Sequence, residues 1–382
     1  MLIFITYIFW SSFGLLVYTY LGYPFILAIW ALFAKSRNHR GTVVYPFLTL
    51  VIAARNEEKV IGDKIQNSLK LDYPRDRLEI LVVSDSSSDG TNDIVSRFEE
   101  DNIHLLKLKE RKGKTGAQNI AVKQAKGDII VFSDANAFYA KDSLQRLAGH
   151  FSDPQVDFVS GELCYTESHG SEAGQKENLY WRFEKWVKRL EDRVGCITGA
   201  NGSIYAVRKE SYIPLEYDQI SDFMEPLLIA GRGGTVIYEP EAKSYEPSSD
   251  SFDQEFRRKR RILSRSLFSL SKNRWLFNPR HTGRLAWQII SHKVLRWATP
   301  LFLLTLFVSN LFLVVWGNTL LFFFAQMIFY LLAVLGHWIT LPRGNFILTV
   351  PYYFVLLNYA SLCGLWDFVS GRPAVFWEPI RQ

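Results

Sequence analysis

Polar side chains that could do chemistry follow three apolar, β-rich runs of the sequence. These side chains lie in residues 55–57, in residues 85–90, and at Asp134 and Asn136. Asp134 and Asn136 offer hard oxygen ligands of the kind that divalent cations take, and the single residue between them sends both side chains to one side of an extended segment. The spacing predicts a cation site at residues 134–136; a loop Asp and Asn that only form turns is the alternative.

The elements that must position these side chains alternate between strand and helix. Strands are predicted over Phe47–Ala53, Glu79–Val83, His104–Leu108 and Asp128–Phe132, and helices over Asn56–Leu69, from about Thr91, and over Gly116–Ala125. This alternation predicts an α/β domain with a mostly parallel sheet and helices on both faces. Because ligands bind at the carboxyl ends of strands in such sheets, the three clusters are expected to meet at one edge. Taken alone, residues 85–90 would favour a simple turn and a helix N-cap over a binding site.

Two familiar phosphate-binding motifs are absent. The segment Gly113–Thr115 ends like a P-loop, but Leu108 stands where that loop needs a glycine. The glycines within 231–234 follow a helical pattern and precede a strand, the reverse of the dinucleotide fingerprint. An ATPase of the P-loop type and a nicotinamide enzyme therefore lose support.

Composition limits the class of protein without choosing one. The 382 residues carry a net charge of +6, which suits a nucleic-acid binder, an anionic membrane or a phosphate-bearing substrate. Cys164, Cys196 and Cys363 lie far apart and lack the spacing of metal ligands. Neither a disulfide framework nor a zinc site is supported.

The N-terminal segment is long enough to cross a membrane. Residues 2–33 contain no Asp, Glu, Lys or Arg, whereas a helix needs about 20 apolar residues to span a bilayer. Lys35, Arg37 and Arg40 follow the apolar run, which argues against a cleaved signal peptide. The positive-inside rule then predicts an external N-terminus and a cytoplasmic middle domain.

Three further apolar runs cover 294–316, 319–340 and 347–369, and they predict three spans. Alternate crossing would leave the tail outside, yet this tail carries Arg372 and Arg381. The alternative that one of these segments is re-entrant, or lies flat on the membrane, therefore stays open. Residues 274–288 mix tryptophans with arginines, as an in-plane amphipathic helix would. A core helix is the alternative there.

These patterns divide the chain into five parts. They are an N-terminal transmembrane helix at 1–34, a cytoplasmic catalytic domain at 46–272, an interfacial amphipathic helix at 273–292, a C-terminal transmembrane region at 293–371 and a tail at 372–382. The expected location is a bacterial-type inner or plasma membrane.

Six short motifs in this order resemble one enzyme family. They are Val51-Ile-Ala-Ala-Arg-Asn-Glu, Val83-Ser-Asp-Ser-Ser-Ser-Asp-Gly-Thr, Lys112-Gly-Lys, Ser133-Asp-Ala-Asn, Gly199-Ala-Asn-Gly-Ser and Ser221-Asp-Phe. Together they resemble the inverting family 2 glycosyltransferases of GT-A fold, the nucleotide-diphospho-sugar transferases. That group includes membrane synthases of hyaluronan, cellulose, chitin and poly-N-acetylglucosamine. The resemblance covers about 47–270.

The resemblance implies transfer of a sugar from a UDP-sugar donor to a glycan or lipid-linked acceptor in exopolysaccharide, capsule or envelope synthesis. It implies Mg2+ or Mn2+ held by Asp134 and Asn136, as in the family's DxD motif with an amide in place of the second carboxylate. Such an ion and fixed positive groups would stabilise the diphosphate as negative charge develops on it. The nucleotide-binding residues that the family pattern implies are Ala53, Arg55, Glu57, Asp85, Lys114 and Asp134. A solvated surface lysine is the alternative for Lys114.

Asp222 resembles the family's general base. Inversion by a single displacement needs one carboxylate, which takes the proton from the acceptor hydroxyl as that oxygen attacks the anomeric carbon. Capping of the helix that follows is the alternative role for Asp222.

A basic run occupies the place of the QxxRW motif of polymerising synthases. The implied diphosphate- or acceptor-binding residues are Gln254, Arg257, Arg258 and Arg261, with Gly199 and Asn201. The motif's tryptophan is missing in both registers, so processive synthesis and single-sugar transfer both stay open. Contact of the basic run with anionic lipids is the rival interpretation.

Two other functions stay open at this point. One is sugar transfer to a polyprenyl phosphate, and the other is a non-catalytic membrane scaffold that binds a nucleotide sugar. Membrane lipids are expected partners and nucleic acid is not. A second copy of the chain or a partner synthase subunit fits equally well.

Overall fold

The computed structural model describes residues 1–34, 45–98, 102–166, 172–247, 252–316, 319–338 and 346–371. Its centre is a sheet of eight strands: β1 (Leu48–Ala54), β2 (Leu78–Ser84), β3 (Ile103–Lys107), β4 (Ile129–Asp134), β5 (Phe138–Tyr139), β6 (Val156–Thr166), β7 (Tyr205–Arg208) and β8 (Thr235–Pro247). Their spatial order is β3-β2-β1-β4-β7-β6-β8-β5. The four strands predicted from the sequence all form, within one or two residues of the expected ends.

The sheet is mixed. β1 pairs in parallel with β2 and β4, and β2 pairs in parallel with β3, so the predicted half is parallel. β7 lies antiparallel to both β4 and β6. The chain enters β7 from a loop at the carboxyl end of β4, which brings the residues before β7 to the edge where ligands bind.

Helices cover both faces of the sheet, as the α/β pattern predicts. Those of the sheet domain are α3 (Ile61–Leu69), α4 (Thr91–Ser96), α5 (Gly113–Gln124), α6 (Ser143–His150), α7 (Glu172–Val194), α8 (Ser221–Gly231) and α9 (Phe252–Lys272). Because side chains alternate along a strand, Leu50 and Ile52 of β1 join the core under α3 and α6, while Val51 joins the core under α5 and α8.

The first loop is longer than the sequence predicts. The helix expected from Asn56 begins at Ile61, and Asn56 itself has φ +51°, in the left-handed region. Residues 55–60 form a loop because their polar groups bind the neighbouring loop after β2 instead of continuing a helix. This difference leaves Arg55 and Glu57 at the carboxyl edge of the sheet.

The N-terminal segment is helical over Leu2–Val17 (α1) and Tyr23–Phe33 (α2), joined by a π-helical turn at Tyr18–Gly22. After α9 the chain forms α10 (Pro279–Thr282), α11 (Arg284–Gln288), a π-helical turn at Ile289–Val294, α12 (Leu295–Trp297), α13 (Thr299–Leu313), α14 (Leu320–Trp338) and α15 (Phe346–Val369), with 3-10 turns at Arg274–Phe277 and Val314–Trp316.

The prediction of a single amphipathic helix over 273–292 is wrong, because the segment is broken into shorter helices. Gly283, at φ +57°, separates α10 from α11. The apolar side chains of Leu276, Leu285 and Ile289 are buried in the core of the sheet domain. This segment therefore packs as part of that domain.

Within the described residues, four helical segments are long and apolar enough to cross a membrane. They are Leu2–Phe33, Thr299–Trp316, Leu320–Trp338 and Ile347–Val369. Lys35, Arg37 and Arg40, on which the predicted orientation rests, lie outside the described residues, as does the tail at 372–382.

Candidate active site

The loops after β1 and β2 bind each other at the carboxyl edge of the sheet. Arg55 donates a hydrogen bond from Nη1 to the carbonyl oxygen of Asp85 at 2.7 Å. The Glu58 carboxylate accepts from the backbone N–H of Gly90 at 2.8 Å, and the Asn56 amide oxygen accepts from that of Ser88 at 2.9 Å. The two loops thus form one rigid wall of the candidate site.

Asp85 and Glu57 are both buried in this wall. The two oxygens of Asp85 accept from the backbone N–H groups of Lys112 and Gly113, at 2.6 and 2.9 Å. Asp85 therefore fixes the start of α5 and with it the position of Lys114. The backbone N–H of Glu57 donates to the hydroxyl of Thr91 at 2.8 Å.

The central cluster contains Lys114, Asp134 and Asp222. The Lys114 ammonium forms an ion pair with Asp134 at the end of β4 and donates to the carbonyl oxygen of Gly202 at 3.1 Å. Asp222 lies in the first turn of α8, next to both Lys114 and Gly202. Ala53 is the register partner of Asp134 on β1, so it borders the same cluster. Sequence positions more than 100 residues apart thus meet at one edge of the sheet.

The charges of this cluster shift the pKa values of Asp222 and Lys114. Burial and the nearby Asp134 raise the pKa of Asp222, although Lys114 and Arg265 oppose this shift. For Lys114, burial is outweighed by Asp134 and Asp222, which raise the pKa of the ammonium. Asp222 is thus a stronger base than an ordinary aspartate. Ile220 is the N-cap of α8, so the capping role considered for Asp222 is wrong.

Gly202 leaves room for this cluster. A Cβ atom at position 202 would lie 2.7 Å from Oδ2 of Asp222 and 3.1 Å from Nζ of Lys114. We expect Gly202→Ala to lower kcat by roughly ten-fold or more, because a shift of about 1 Å in a catalytic group is costly. Steady-state kinetics and thermal unfolding check this expectation. Gly149→Ala is the matched control, since a Cβ there meets nothing within 4 Å. Equal activity of the two variants would contradict the prediction.

The turn that carries Asn136 has oxygen atoms that could bind a cation together with the phosphates of a substrate. Within the described residues no group of three or more His, Cys, Asp or Glu side chains could hold a metal ion alone. Mg2+ in nucleotide sites is held by one or two protein oxygens together with substrate phosphates. The oxygens of Asp134 and the half-buried Asn136 fit that requirement, since the Asn136 side chain makes no hydrogen bond to any described residue.

A buried lysine supports this turn from below. Lys64 of α3 is fully buried, donates from Nζ to the carbonyl oxygen of Ala137 at 2.5 Å, and lies 4.1 Å from the centre of the Tyr139 ring. Burial lowers the pKa of Lys64 to about 7, despite the attraction of Asp134 and Glu246.

This lysine should make stability depend on pH. Between pH 7 and 10.5 the folded protein loses the Lys64 proton while the unfolded chain keeps it, so stability should rise by up to about 1.4 kcal/mol per pH unit in that window. We expect Lys64→Met to remove this rise, and unfolding of both proteins between pH 6.5 and 9.5 checks it. The exposed Lys123→Met is the control. An unchanged pH dependence in Lys64→Met would refute the assignment.

The loop before β7 lies beside the cluster. The backbone N–H of Ala200 donates to the carbonyl oxygen of Asp222 at 2.8 Å, which ties the loop to the start of α8. Asn201 donates to the carbonyl oxygen of Gly161 at 2.6 Å and accepts from Lys188 of α7 at 3.2 Å. Gly199 has φ +153° and faces the Phe223 ring. Gly199 and Asn201 therefore shape the side of the site that α7 borders.

The basic residues of α9 divide between two faces of the helix. Arg257 is exposed and pairs with Asp253 on its own helix at 2.8 Å, so the structure does not bring it to the cluster. Arg258 pairs with Glu255 at 2.5 Å and donates to the hydroxyl of Tyr165 at 2.9 Å. Gln254 lies half-buried in the first turn of the helix.

Arg261 and Arg265 lie, like Arg258, on the side of α9 that packs on the sheet domain. Burial, together with the nearby Arg265 and Arg258, lowers the pKa of Arg261 to about 10. Arg265 donates to the carbonyl oxygens of Asp218 and Gln219, at 3.3 and 3.1 Å, just before the helix that carries Asp222. Sequence reasoning missed Arg265, although its spacing of four residues from Arg261 places both on one helix face.

Comparison with known proteins agrees with this geometry. Residues 49–212 match the family model "Glycosyl transferase family 2". A β-monoglucosyldiacylglycerol synthase of Synechocystis is 39% identical over 118 residues, covering 30% of this chain and 25% of the relative. A poly-β-1,6-N-acetyl-D-glucosamine synthase of Staphylococcus aureus is 26% identical over 200 residues, covering 50% and 48%. The chain thus spans a quarter to about half the length of these relatives.

Among solved structures, the mannosyltransferase PcManGT of Pyrobaculum calidifontis, in complex with GDP-Man and Mn2+, superimposes with a TM-score of 0.71 at 23% identity and covers 96% of this chain and 99% of that one. The fold is therefore the GT-A fold, and the described residues include four helical segments that are long and apolar enough to cross a membrane. The matched domain belongs to glycosyl transferase family 2, whose members among the relatives are named for glycolipid and polysaccharide synthesis. Asp222 and α9 lie beyond the matched residues.

Proposed function

We propose that this protein is an inverting glycosyltransferase that moves a sugar from a nucleotide diphosphate, UDP in the first instance, to a glycan or lipid-linked acceptor at the membrane. The observation that carries the proposal is the meeting of Asp222 with the Lys114–Asp134 pair at the carboxyl edge of β4. A single displacement requires one carboxylate that acts as the base and a positive group that stabilises the leaving diphosphate.

The reaction needs three tasks from the protein. The Asp222 carboxylate accepts the proton of an acceptor hydroxyl, whose oxygen forms a bond to the anomeric carbon from the face opposite the diphosphate. The bond from that carbon to the diphosphate oxygen breaks, and the nucleoside diphosphate leaves with the bonding electrons. The Lys114 ammonium, which pairs with Asp134, would stabilise the charge that develops on this leaving group.

Asp134 and Asn136 are the residues that would hold Mg2+ or Mn2+. The ion would supply a Lewis acid for the diphosphate oxygens. Ala53, Arg55, Glu57 and Asp85 would form the nucleoside side of the site, with Asp85 acting through the backbone of residues 112–113 as well.

The acceptor side is proposed to lie between α7 and α9. Gly199 and Asn201 border it on one side, and Arg258 and Arg261 on the other. Membrane lipids would lie close, because α7 packs on α2 through Val187 and Leu190. The relatives named for glycolipid and polysaccharide synthesis support an acceptor of either class. We further propose that the catalytic domain is cytoplasmic.

The test is release of nucleoside diphosphate by the detergent-purified protein supplied with membrane lipids. UDP-glucose, UDP-N-acetylglucosamine, UDP-galactose, UDP-glucuronate and GDP-mannose are each tested with Mg2+, with Mn2+ and with EDTA. We expect metal-dependent release from one donor and a product of inverted anomeric configuration. Release without metal would exclude the cation role, and tight nucleotide binding without any turnover would favour a scaffold. A retained configuration in the product would exclude the single displacement.

A further inference from the structure

The helix α15 differs from the other apolar helices in what it contacts. By length and composition it could cross a membrane, but its mean hydropathy of 1.4 is below the 1.7 to 2.0 of the other three segments. Its first turns contact α14, where the rings of Tyr352 and His337 lie 5.6 Å apart and those of Phe354 and Phe329 5.7 Å apart. Its remaining length lies along α9, which belongs to the sheet domain. The position of α9 therefore limits where α15 can lie.

The two helices run side by side in the same direction. From one end to the other, the contacts are the rings of Phe252 and Tyr352 at 5.1 Å, the rings of Phe256 and Tyr359 at 5.4 Å, and Arg260 with Asp367 in a two-fold hydrogen bond at 2.6 and 2.7 Å. Residues 352–367 of α15 thus lie beside residues 252–260 of α9.

The helix α9 cannot lie in hydrocarbon. Seven of the nine residues over 253–261 are charged. Its other end is held in the sheet domain, where Lys272 pairs with Glu216 and Asp218. Charged side chains inside a bilayer are costly, so this part of α9 stays at or outside the membrane surface. The adjacent residues of α15 must then lie at the surface as well.

The contact of α15 with the turn at Tyr18–Gly22 agrees with this position. α1 and α13 pack along each other, with a hydrogen bond between Ser12 and Thr305 at 2.7 Å. α15 meets Tyr20 through Phe354, at a ring distance of 5.8 Å. Tyr20 also lies 5.9 Å from the guanidinium of Arg296. Arg296 in turn pairs with Glu184 of α7, so Phe354 lies near the boundary of the sheet domain.

One face of α15 is apolar and exposed. Leu362, Trp366 and Val369 are 38%, 71% and 77% exposed, and their spacing of four and three residues places them on one side of the helix. Tyr359, which also contacts Phe256 of α9, lies at the edge of this side. A helix in the membrane interface turns an apolar side to the lipid and a polar side to the water. Beside α15, the charged residues of α9 take the place of that polar side.

We propose that α15 lies in the plane of the membrane surface on the side of the sheet domain, with this apolar face in the lipid and α9 on the aqueous side. The chain then crosses the bilayer three times, through Leu2–Phe33, Thr299–Trp316 and Leu320–Trp338. Gly371 lies on the same side as the sheet domain. With three crossings the positively charged tail lies on the same side as the sheet domain. A fourth crossing would place these charges on the opposite side, against the positive-inside rule.

Labelling of single cysteines with a membrane-impermeant thiol reagent tests the side on which α15 ends. Gly371→Cys is compared with Gln155→Cys on the sheet domain and with Val315→Cys at the far end of the second crossing, all in a background without the three native cysteines. We expect Gly371→Cys and Gln155→Cys to be labelled from the same membrane face, and Val315→Cys from the opposite one. Labelling of Gly371→Cys together with Val315→Cys would overturn the proposal. Detergent-solubilised samples confirm that each variant is folded and reactive.

A depth measurement separates a flat helix from one that dips and returns. Spin labels at Val350→Cys, Tyr359→Cys and Trp366→Cys in vesicles are compared for their accessibility to oxygen and to a nickel chelate. A flat helix gives nearly equal, shallow depths at all three sites. A depth that is greatest at the middle label, or that grows steadily along the helix, would overturn the proposal. Ile328→Cys supplies the deep reference, since Ile328 lies at the middle of α14 and is 56% exposed.

Discussion

Replacing Asp222 by asparagine is expected to lower kcat by roughly 10²- to 10⁴-fold, the usual contribution of a general base. The amide keeps the size and the position of the side chain but cannot accept the acceptor's proton. Binding of the nucleotide should change little, because Lys114 and Asp134 remain paired. Single-turnover kinetics and titration with UDP separate these two effects.

The pH dependence gives a second readout for Asp222. Because burial and Asp134 raise the pKa of this carboxyl, the wild-type rate should fall on the acid side at a pH above that at which an ordinary aspartate titrates. The residual rate of Asp222→Asn should lack this acid limb. Asp93→Asn, on the exposed first turn of α4, is the control for loss of one charge. A variant that retains wild-type kcat, or that loses nucleotide binding to the same extent, would remove Asp222 from the role of base.

The parallel part of the sheet was predictable from the sequence, because each of its strands is marked by its own short run of residues. Runs such as 48–54 are apolar throughout because both of their faces are buried, one under α3 and the other under α5. The polar residues at the end of each run then mark the ligand edge. The placement of β7 between β4 and β6 could not be predicted, because its partners are far away in sequence and its four residues carry little pattern.

The sequence predicted which residues form the site better than it predicted the contacts that they make. Lys114, Asp134 and Asp222 come together as the family pattern implies, although no local signal links positions 134 and 222. Asp85 is different, because its carboxylate binds the backbone at residues 112–113, a contact that only the tertiary structure reveals.

The register of the basic run on α9 could not be read from the sequence. Successive residues of a helix are rotated by about 100°, so neighbouring arginines face different surroundings. Arg257 therefore faces solvent, and Arg260 pairs with Asp367 of α15. Arg261 and Arg265 face the domain instead. Which face meets the site depends on the packing of α9 between α8 and α15, which no short motif encodes.

Replacing Asp134 by asparagine should abolish the dependence of donor binding on a divalent cation and lower kcat/KM by roughly 10²- to 10³-fold. The carboxylate has two tasks, because it is the charged ligand of the proposed cation and the partner of Lys114. Its removal also takes away one of the charges that raise the pKa of Asp222, so the acid limb of the rate should move to lower pH. Calorimetric titration of UDP with Mn2+ and with EDTA measures the first effect.

The ion pair makes the effects of Asp134→Asn and Lys114→Met non-additive, since either change alone leaves a partly buried charge without its partner. The double variant should therefore lose less activity than the product of the two single losses. Asp128→Asn, which removes an exposed charge just before the other end of β4, is the control and should behave as the wild type. If donor binding to Asp134→Asn still strengthens with Mn2+ as in the wild type, the cation is held elsewhere, and the pairing with Lys114 is the role that remains for Asp134.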